Sequence, residues 1–254
     1  MPSLAQVTTV KETNRKFEIG WAVSFIALPR VQSFCGPDCI REGPPDEAIG
    51  SRYPHSDFNS MVEIVELWDS CIDEVAISGF LKYTPCLKSL TYWHLPRNSK
   101  GHQDWDLCRF IIAVHHKVGN HLEKLSAIPV IWKPRCSITP WQAITRLQSL
   151  ELPLEVVICS LAAAELAEPE SSNFESLLGD LVPASVSQLS LFSRGKHPHK
   201  RAVDLLFREF ASRKHLQTPA LKEIRLTCPD DADDSYKSQC AKLAAEMDKA
   251  NVAL

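Results

Sequence analysis

Two closely spaced cysteines are the first residues that could do chemistry. Cys35 and Cys39 are separated by three residues. A thioredoxin-like redox pair has two intervening residues, and a tetrahedral zinc site needs two further ligands, whereas only His55 lies nearby. The spacing therefore favours two structural thiols at a Gly-Pro turn. Because nine cysteines are scattered along the chain, we expect free and mostly buried thiols rather than a disulfide framework.

Histidines and charged runs give weaker signals. His115 and His116 are adjacent and would project about 100° apart on a helix, which is poor geometry for one metal ion, so a helix C-terminal role is favoured. The basic run 194–201 lacks interleaved aromatic residues, which favours a solvated loop over contact with nucleic acid, an acidic partner or an import receptor. The aspartates between 230 and 234 lack calcium-loop spacing and predict an acidic helix start.

Signatures of enzymes are missing from the sequence. No G-x-S-x-G, P-loop, dinucleotide-binding glycine set or H-E-x-x-H motif occurs. We therefore predict that the chain is not an enzyme and has no cofactor and no metal. A Ser/His/Asp triad that assembles only in space stays open, and with it an enzyme of unrecognised type.

Composition and charge exclude several partners. The 254 residues carry a net charge of −3, so the broad basic field that nucleic acid requires is not expected. The most apolar early stretch, residues 21–28, is too short to span a bilayer, and residues 1–16 lack the apolar centre of a secretory signal. We predict a cytoplasmic or nuclear protein with neither nucleic acid nor membrane as partner.

A recurring phrase indicates the elements that would position any site. Residues 84–90 (TPCLKSL) are echoed by residues 218–224 (TPALKEI), and each phrase leads into L-x-x-L-x-L, the strand signature of a leucine-rich repeat. Six segments have apolar residues at all three positions of this signature: Val62/Val65/Leu67, Leu87/Leu90/Tyr92, Leu122/Leu125/Ala127, Leu147/Leu150/Leu152, Val186/Leu189/Leu191 and Leu221/Ile224/Leu226. A seventh segment, Val31/Phe34/Gly36, fits the signature in part.

Stretches of helical spacing alternate with these candidate strands. Apolar residues recur with a helical period over residues 72–83, 107–118, 203–210 and 236–247. Alternating strands and helices imply a parallel sheet. The sequence thus predicts an α/β fold, an irregular leucine-rich-repeat-like solenoid with a parallel sheet and outer helices. We expect residues 1–16 to be an N-terminal tail that could be disordered, and residues 17–254 to be a single solenoid domain.

Residues between the apolar positions would share the concave face of such a sheet. Trp68, Trp93, Ile128 and Phe192 occupy one equivalent place on four repeats. Large apolar groups in a solvated row are typical interface anchors, although packing as ordinary core is the alternative. The predicted ligand-binding surface comprises Glu66, Trp68, Thr91, Trp93, Ser126, Ile128, Glu151, Phe192 and Arg225.

Three phrases carry a family resemblance. Residues 62–71 (VEIVELWDSC), 83–90 (YTPCLKSL) and 179–186 (GDLVPASV) resemble the C-terminal leucine-rich-repeat-like region of filamentous-ascomycete F-box proteins. The resemblance implies a substrate-receptor role in a Skp–cullin ubiquitin ligase. No F-box segment is found, and residues 1–16 are too few to form one, so docking to the Skp–cullin adaptor is expected only if an F-box exists outside this chain.

The predicted function follows from these patterns together. We expect a non-catalytic protein-interaction solenoid, a substrate-recognition module like those of F-box ubiquitin-ligase receptors, with an unknown protein ligand on its concave face. The alternatives are a truncated structural remnant without adaptor binding and the enzyme of unrecognised type.

Overall fold

The chain divides into two compact units, Met1–Ile131 and Trp132–Leu254, and each is treated by itself. The computed structural model describes residues 7–12, 16–40, 60–96, 105–129, 141–154, 177–192, 203–204, 206–227 and 233–254. The prediction of a single domain over residues 17–254 stays a prediction.

In the first unit, short strands alternate with helices along the described chain. The elements are β1 (Thr9–Lys11), β2 (Phe17–Glu18), α1 (Ile19–Ile26), β3 (Ser33–Pro37), β4 (Cys39–Ile40), β5 (Ile64–Ser70), α2 (Glu74–Leu81), β6 (Ser89–His94), α3 (Leu107–Val118) and β7 (Lys124–Pro129).

The main sheet of this unit is parallel, with strand order β1-β3-β5-β6-β7. Equivalent positions of the predicted repeats lie opposite one another, because Phe34 pairs with Val65, Val65 with Leu90, and Leu90 with Leu125. The α/β class and the parallel sheet are therefore confirmed. β1 lies inside the segment predicted as a tail and pairs with β3.

Helices cover one face of this sheet. The ring of Phe34 in β3 lies 6.1 Å from that of Phe80 in α2, and Tyr92 in β6 stacks on Phe110 in α3 at 4.3 Å. All four side chains are fully buried. The apolar positions of the repeats thus form the core between sheet and helices, as the periodicity predicts.

Aspartates start two of the helices. Asp73 precedes α2 and accepts a hydrogen bond from the Ala76 amide at 2.7 Å, and Asp106 precedes α3 and accepts from the amides of Cys108 and Arg109. Such side chains satisfy amides that have no partner within the helix. The caps therefore define where the chain turns from each preceding loop into its helix.

The second unit repeats the arrangement with fewer described strands. Its parallel sheet has the order β8-β9-β10, in which Leu150, Leu189 and Ile224 lie opposite one another. Asp233 caps the last helix through the Tyr236 amide at 2.7 Å, which confirms the acidic helix start there. The elements are a 3-10 turn (Trp141–Ala143), β8 (Ser149–Pro153), α4 (Leu177–Leu181), β9 (Gln188–Phe192), α5 (Phe210–Gln217), β10 (Glu223–Leu226) and α6 (Asp234–Lys249).

Within the described residues, no helix combines the length and apolar character needed to cross a bilayer. The same part of the chain holds no group of three or more histidine, cysteine, aspartate or glutamate side chains placed to bind a metal ion.

Candidate functional site

The face of the first unit's sheet opposite Phe34 and Tyr92 carries most of the predicted surface residues. Side chains on a strand alternate between faces, so residues two apart lie together. We call this the tryptophan face; it comprises Ile64, Glu66, Trp68, Ser89, Thr91, Trp93, Lys124, Ser126 and Ile128.

A bulge in β5 positions the two tryptophans. The pairing of β5 with β6 shifts between Leu67 and Ser70, so that Trp68 and Asp69 together oppose Trp93. Asp69 has a φ of 50°, in the left-handed region. Bulges place an extra residue on one strand and redirect neighbouring side chains. The Trp68 and Trp93 rings meet edge to face, 4.5 Å between centroids and 69° between planes.

Hydrogen bonds of buried polar groups hold the backbone of the bulge. The Trp68 carbonyl accepts hydrogen bonds from the Asp38 amide at 2.7 Å and from the Ser70 hydroxyl at 3.0 Å. The Ser70 hydroxyl in turn accepts from the Cys39 amide at 3.1 Å, and Ser70 is fully buried. These contacts hold the backbone of the bulge from which the Trp68 side chain projects.

Glu66 brings a carboxylate to the tryptophans. The indole N–H of Trp68 donates to the Glu66 carboxylate at 3.4 Å. Glu66 lies opposite Cys35 on one side and Thr91 on the other, and all of these side chains are partly exposed. Burial and then the nearby charge of Glu66 raise the pKa of the Cys35 thiol. The cluster thus combines one carboxylate, two indoles and neutral polar groups.

Two predicted surface residues of β7 are buried. Ser126 is 8% exposed and Ile128 is 2% exposed, although both lie on the tryptophan face. The Ser126 hydroxyl has no hydrogen-bond partner among the described residues. For Ile128 the alternative of core packing therefore holds, and the part of this face that is open to solvent is centred on β5 and β6.

Sequence reasoning missed the contribution of the first strands. Lys11 in β1 and Cys35 in β3 lie in the same register row as Glu66. The partial repeat Val31/Phe34/Gly36 was the signal that could have placed Cys35 on this face. No repeat pattern surrounds Lys11, so β1 had no comparable signal.

The other predicted residues belong to the second unit. Glu151 and Arg225 lie in one register row with Ser190 between them, and Phe192 lies opposite Pro153 at the ends of their strands. Phe192 and Glu151 are partly exposed. Arg225 is exposed and forms a 2.7 Å ion pair with Glu223 on its own strand.

Cys35 lies in β3 and Cys39 in β4, and the two adjacent histidines lie in α3. Cys39 is fully buried, its thiol donates to the Gly36 carbonyl at 3.3 Å, and burial raises its pKa to about 12. A raised pKa disfavours the reactive thiolate. His115 and His116 occupy the last turn of α3, with ring centroids 5.5 Å apart.

Free thiols are confirmed for Cys35, Cys39 and Cys86. The expectation of free thiols is wrong for Cys108, which is disulfide-bonded. The basic run 194–201, His55, Asp230 and Asp231 lie outside the described residues.

No protein-family model matches the sequence, and no curated protein matches it. Among solved structures, the chain is similar to one described as the crystal structure of the Rad7 and Elc1 complex in yeast, with 13% identity and a TM-score of 0.23. The similarity covers 85% of this chain and 68% of that chain. It is too distant to bear on function.

Proposed function

We propose that this chain is a non-catalytic protein-interaction module built from leucine-rich-repeat-like units, and that the tryptophan face contacts the partner. One observation carries the proposal: Trp68 and Trp93 form a partly exposed aromatic pair on the sheet face opposite the helices. Ile64, two strand positions before Glu66, adds an apolar side chain that is 42% exposed. Clusters of aromatic and apolar side chains with a charged neighbour are typical of binding hot spots.

The repeat interpretation is supported by the register. Each apolar triple predicted from L-x-x-L-x-L falls at or just before a strand, and its middle residue pairs with the middle residue of the next repeat within each unit. Within each unit, a stack of such repeats presents a wide sheet face for a macromolecular partner.

Affinity purification tests the proposal when wild type and variants are compared quantitatively. Trp68→Ala combined with Trp93→Ala should deplete specific partners at least tenfold. Trp21→Ala is the matched control, because Trp21 on α1 is 57% exposed and lies outside the tryptophan face. Equal recovery of every partner by wild type, the double variant and the control, with all chains folded, would refute this surface.

The narrower role is also a proposal. We infer that the chain is the substrate-recognition module of an F-box-type ubiquitin-ligase receptor and that its partner is a substrate. The family resemblance of residues 62–71, 83–90 and 179–186 supports this inference. Recovery of Skp–cullin components by the chain, expressed with any coding sequence that precedes it in its gene, would support this role. A partner set lacking them would favour the alternative of a structural remnant without adaptor binding.

A further inference from the structure

Glu66 lacks the basic partner that several other described glutamates have. Glu63 lies 2.8 Å from Lys88, Glu74 lies 3.3 Å from Arg109, and Glu223 lies 2.7 Å from Arg225. Among the described residues, no basic side chain forms an ion pair with Glu66.

The strand register explains why this carboxylate is left without a cation. Cys35 and Thr91 flank Glu66 in its row, and both are neutral. Lys11 is the basic residue of that row, but it lies two strands from Glu66. Neighbouring strands are about 4.8 Å apart, so the two backbones are separated by roughly 10 Å.

One indole lies beside the Glu66 carboxylate, and a second indole packs against the first. The Trp68 N–H faces the Glu66 carboxylate, and the Trp93 ring meets the Trp68 ring at 4.5 Å. The faces of an indole carry negative potential, which attracts cations such as guanidinium and ammonium groups. Carboxylate and indoles therefore attract the same type of group from one side of the sheet.

We propose that Glu66, Trp68 and Trp93 form a seat for an arginine side chain of the protein partner. Guanidinium is planar, so it can stack on an indole while donating two hydrogen bonds to a carboxylate, which lysine cannot do. Ile64 lies on the same face and offers an apolar surface for the methylene stem of the arginine or for its neighbour. This inference rests on the proposed function, since it names the chemistry of the partner at the same face.

The backbone beneath the seat makes the arrangement rigid. Asp69 holds a left-handed conformation within the bulge, and Ser70 and Asp38 bind the carbonyl of Trp68. Non-glycine residues adopt this conformation at an energetic cost, and such residues concentrate where a structure must present a side chain in one orientation. A preformed seat loses less conformational entropy when it binds its ligand.

Nuclear magnetic resonance titration of the full chain tests the seat directly. The probe is a blocked hexapeptide with one central arginine among glycines and serines, and the matched peptide replaces the arginine with citrulline, its neutral isostere. The indole N–H resonances of Trp68 and Trp93 should shift on titration with the arginine peptide, and the citrulline peptide should need at least about tenfold more ligand for the same shift.

Glu66→Gln should weaken arginine-peptide binding about tenfold or more while the amide spectrum stays native. Glu63→Gln is the matched control, because Glu63 already pairs with Lys88 and its loss should change the affinity less than about twofold. Equal effects of the two substitutions, equal binding of both peptides, or indole resonances that do not respond would each overturn the arginine seat. Stronger binding of a lysine peptide would overturn the choice of guanidinium.

The arginine seat and the proposed function can fail separately. If the Trp68→Ala, Trp93→Ala chain loses its partners and the Glu66→Gln chain retains them, the face binds protein but without a cation at this seat. If both variants retain every partner, the proposed surface itself is refuted. Loss of the same partner from both variants, with Glu63→Gln unaffected, supports both.

Discussion

Removal of the Tyr92 hydroxyl is the sharpest test of how the first unit is held together. Tyr92 is fully buried, and its hydroxyl accepts from the Ile72 amide at 3.3 Å. The same oxygen lies 3.0 Å from the Ile72 carbonyl, 3.3 Å from the Ser70 carbonyl and 2.9 Å from Nδ1 of His94. One hydroxyl thus joins the end of β5, the start of the α2 turn and a buried histidine.

Tyr92→Phe keeps the ring stacked on Phe110 at 4.3 Å and removes only these polar contacts. A buried amide or carbonyl that loses its partner costs about 1–3 kcal/mol. We therefore expect the free energy of unfolding at pH 7 to fall by about 1–3 kcal/mol in urea denaturation, with faster hydrogen exchange at the Ile72 amide. Thr91→Val is the control, because it keeps a β-branched residue at the next position of β6, on the opposite face.

The pH dependence of the difference in unfolding free energy between wild type and Tyr92→Phe supplies a second test. Burial raises the pKa of Tyr92 well above its usual value, so the folded chain keeps the hydroxyl protonated when the unfolded chain ionises it near pH 10. The contribution to stability is complete below about pH 10 and declines as the pH rises. Ionisation of Tyr92 in the unfolded chain should lower the free energy of unfolding of wild type by about 1.4 kcal/mol at pH 11. Tyr92→Phe has no hydroxyl at this position, so its free energy of unfolding lacks this decrease. The stability gap between the two chains should therefore narrow from pH 7 to pH 11.

Two results would refute the reasoning. An unchanged free energy of unfolding at pH 7 would mean that the hydroxyl contacts are replaced without cost. A gap that is the same at pH 7 and pH 11 would mean that the folded chain ionises Tyr92 as readily as the unfolded chain does.

Three further outcomes follow from the described contacts. Leu189→Ala should cost about 2–5 kcal/mol in urea denaturation, because Leu189 is 1% exposed in the middle strand of its sheet, whereas exposed Gln188→Ala should cost little. Asp106→Ala should lower the free energy of unfolding by about 1 kcal/mol and Asp106→Asn by less, since asparagine also caps helices; equal losses would contradict the capping role. Cys39 should resist labelling by iodoacetamide at pH 8 until the chain is unfolded, because its thiol is buried and has a pKa of about 12. Peptide mapping measures the labelling, and labelling of Cys39 in the folded chain as fast as that of Cys86 would contradict the prediction.

Local periodicity determined the strands and their faces. The spacing of Val65, Leu90 and Leu125 within their repeats predicted positions that the sheet places opposite one another. The helical spacing over residues 107–118 predicted α3 with the same ends. Both signals are local, because one side of each element must be apolar wherever the element packs. β1 escaped prediction, since three residues of an edge strand carry too little periodicity.

Only the tertiary structure decided which members of the predicted face meet solvent. Trp68, Trp93 and Ile128 occupy equivalent places in the sequence, yet the structure buries Ile128 and leaves both tryptophans partly exposed. The contact of Trp68 with Trp93 depends on the bulge at Asp69, and the unpaired charge of Glu66 depends on which residues flank it in the sheet. A strand's own residues dictate which way its side chains point. Burial, pairing and charge balance arise from neighbouring strands that are distant along the chain, so local sequence cannot encode them alone.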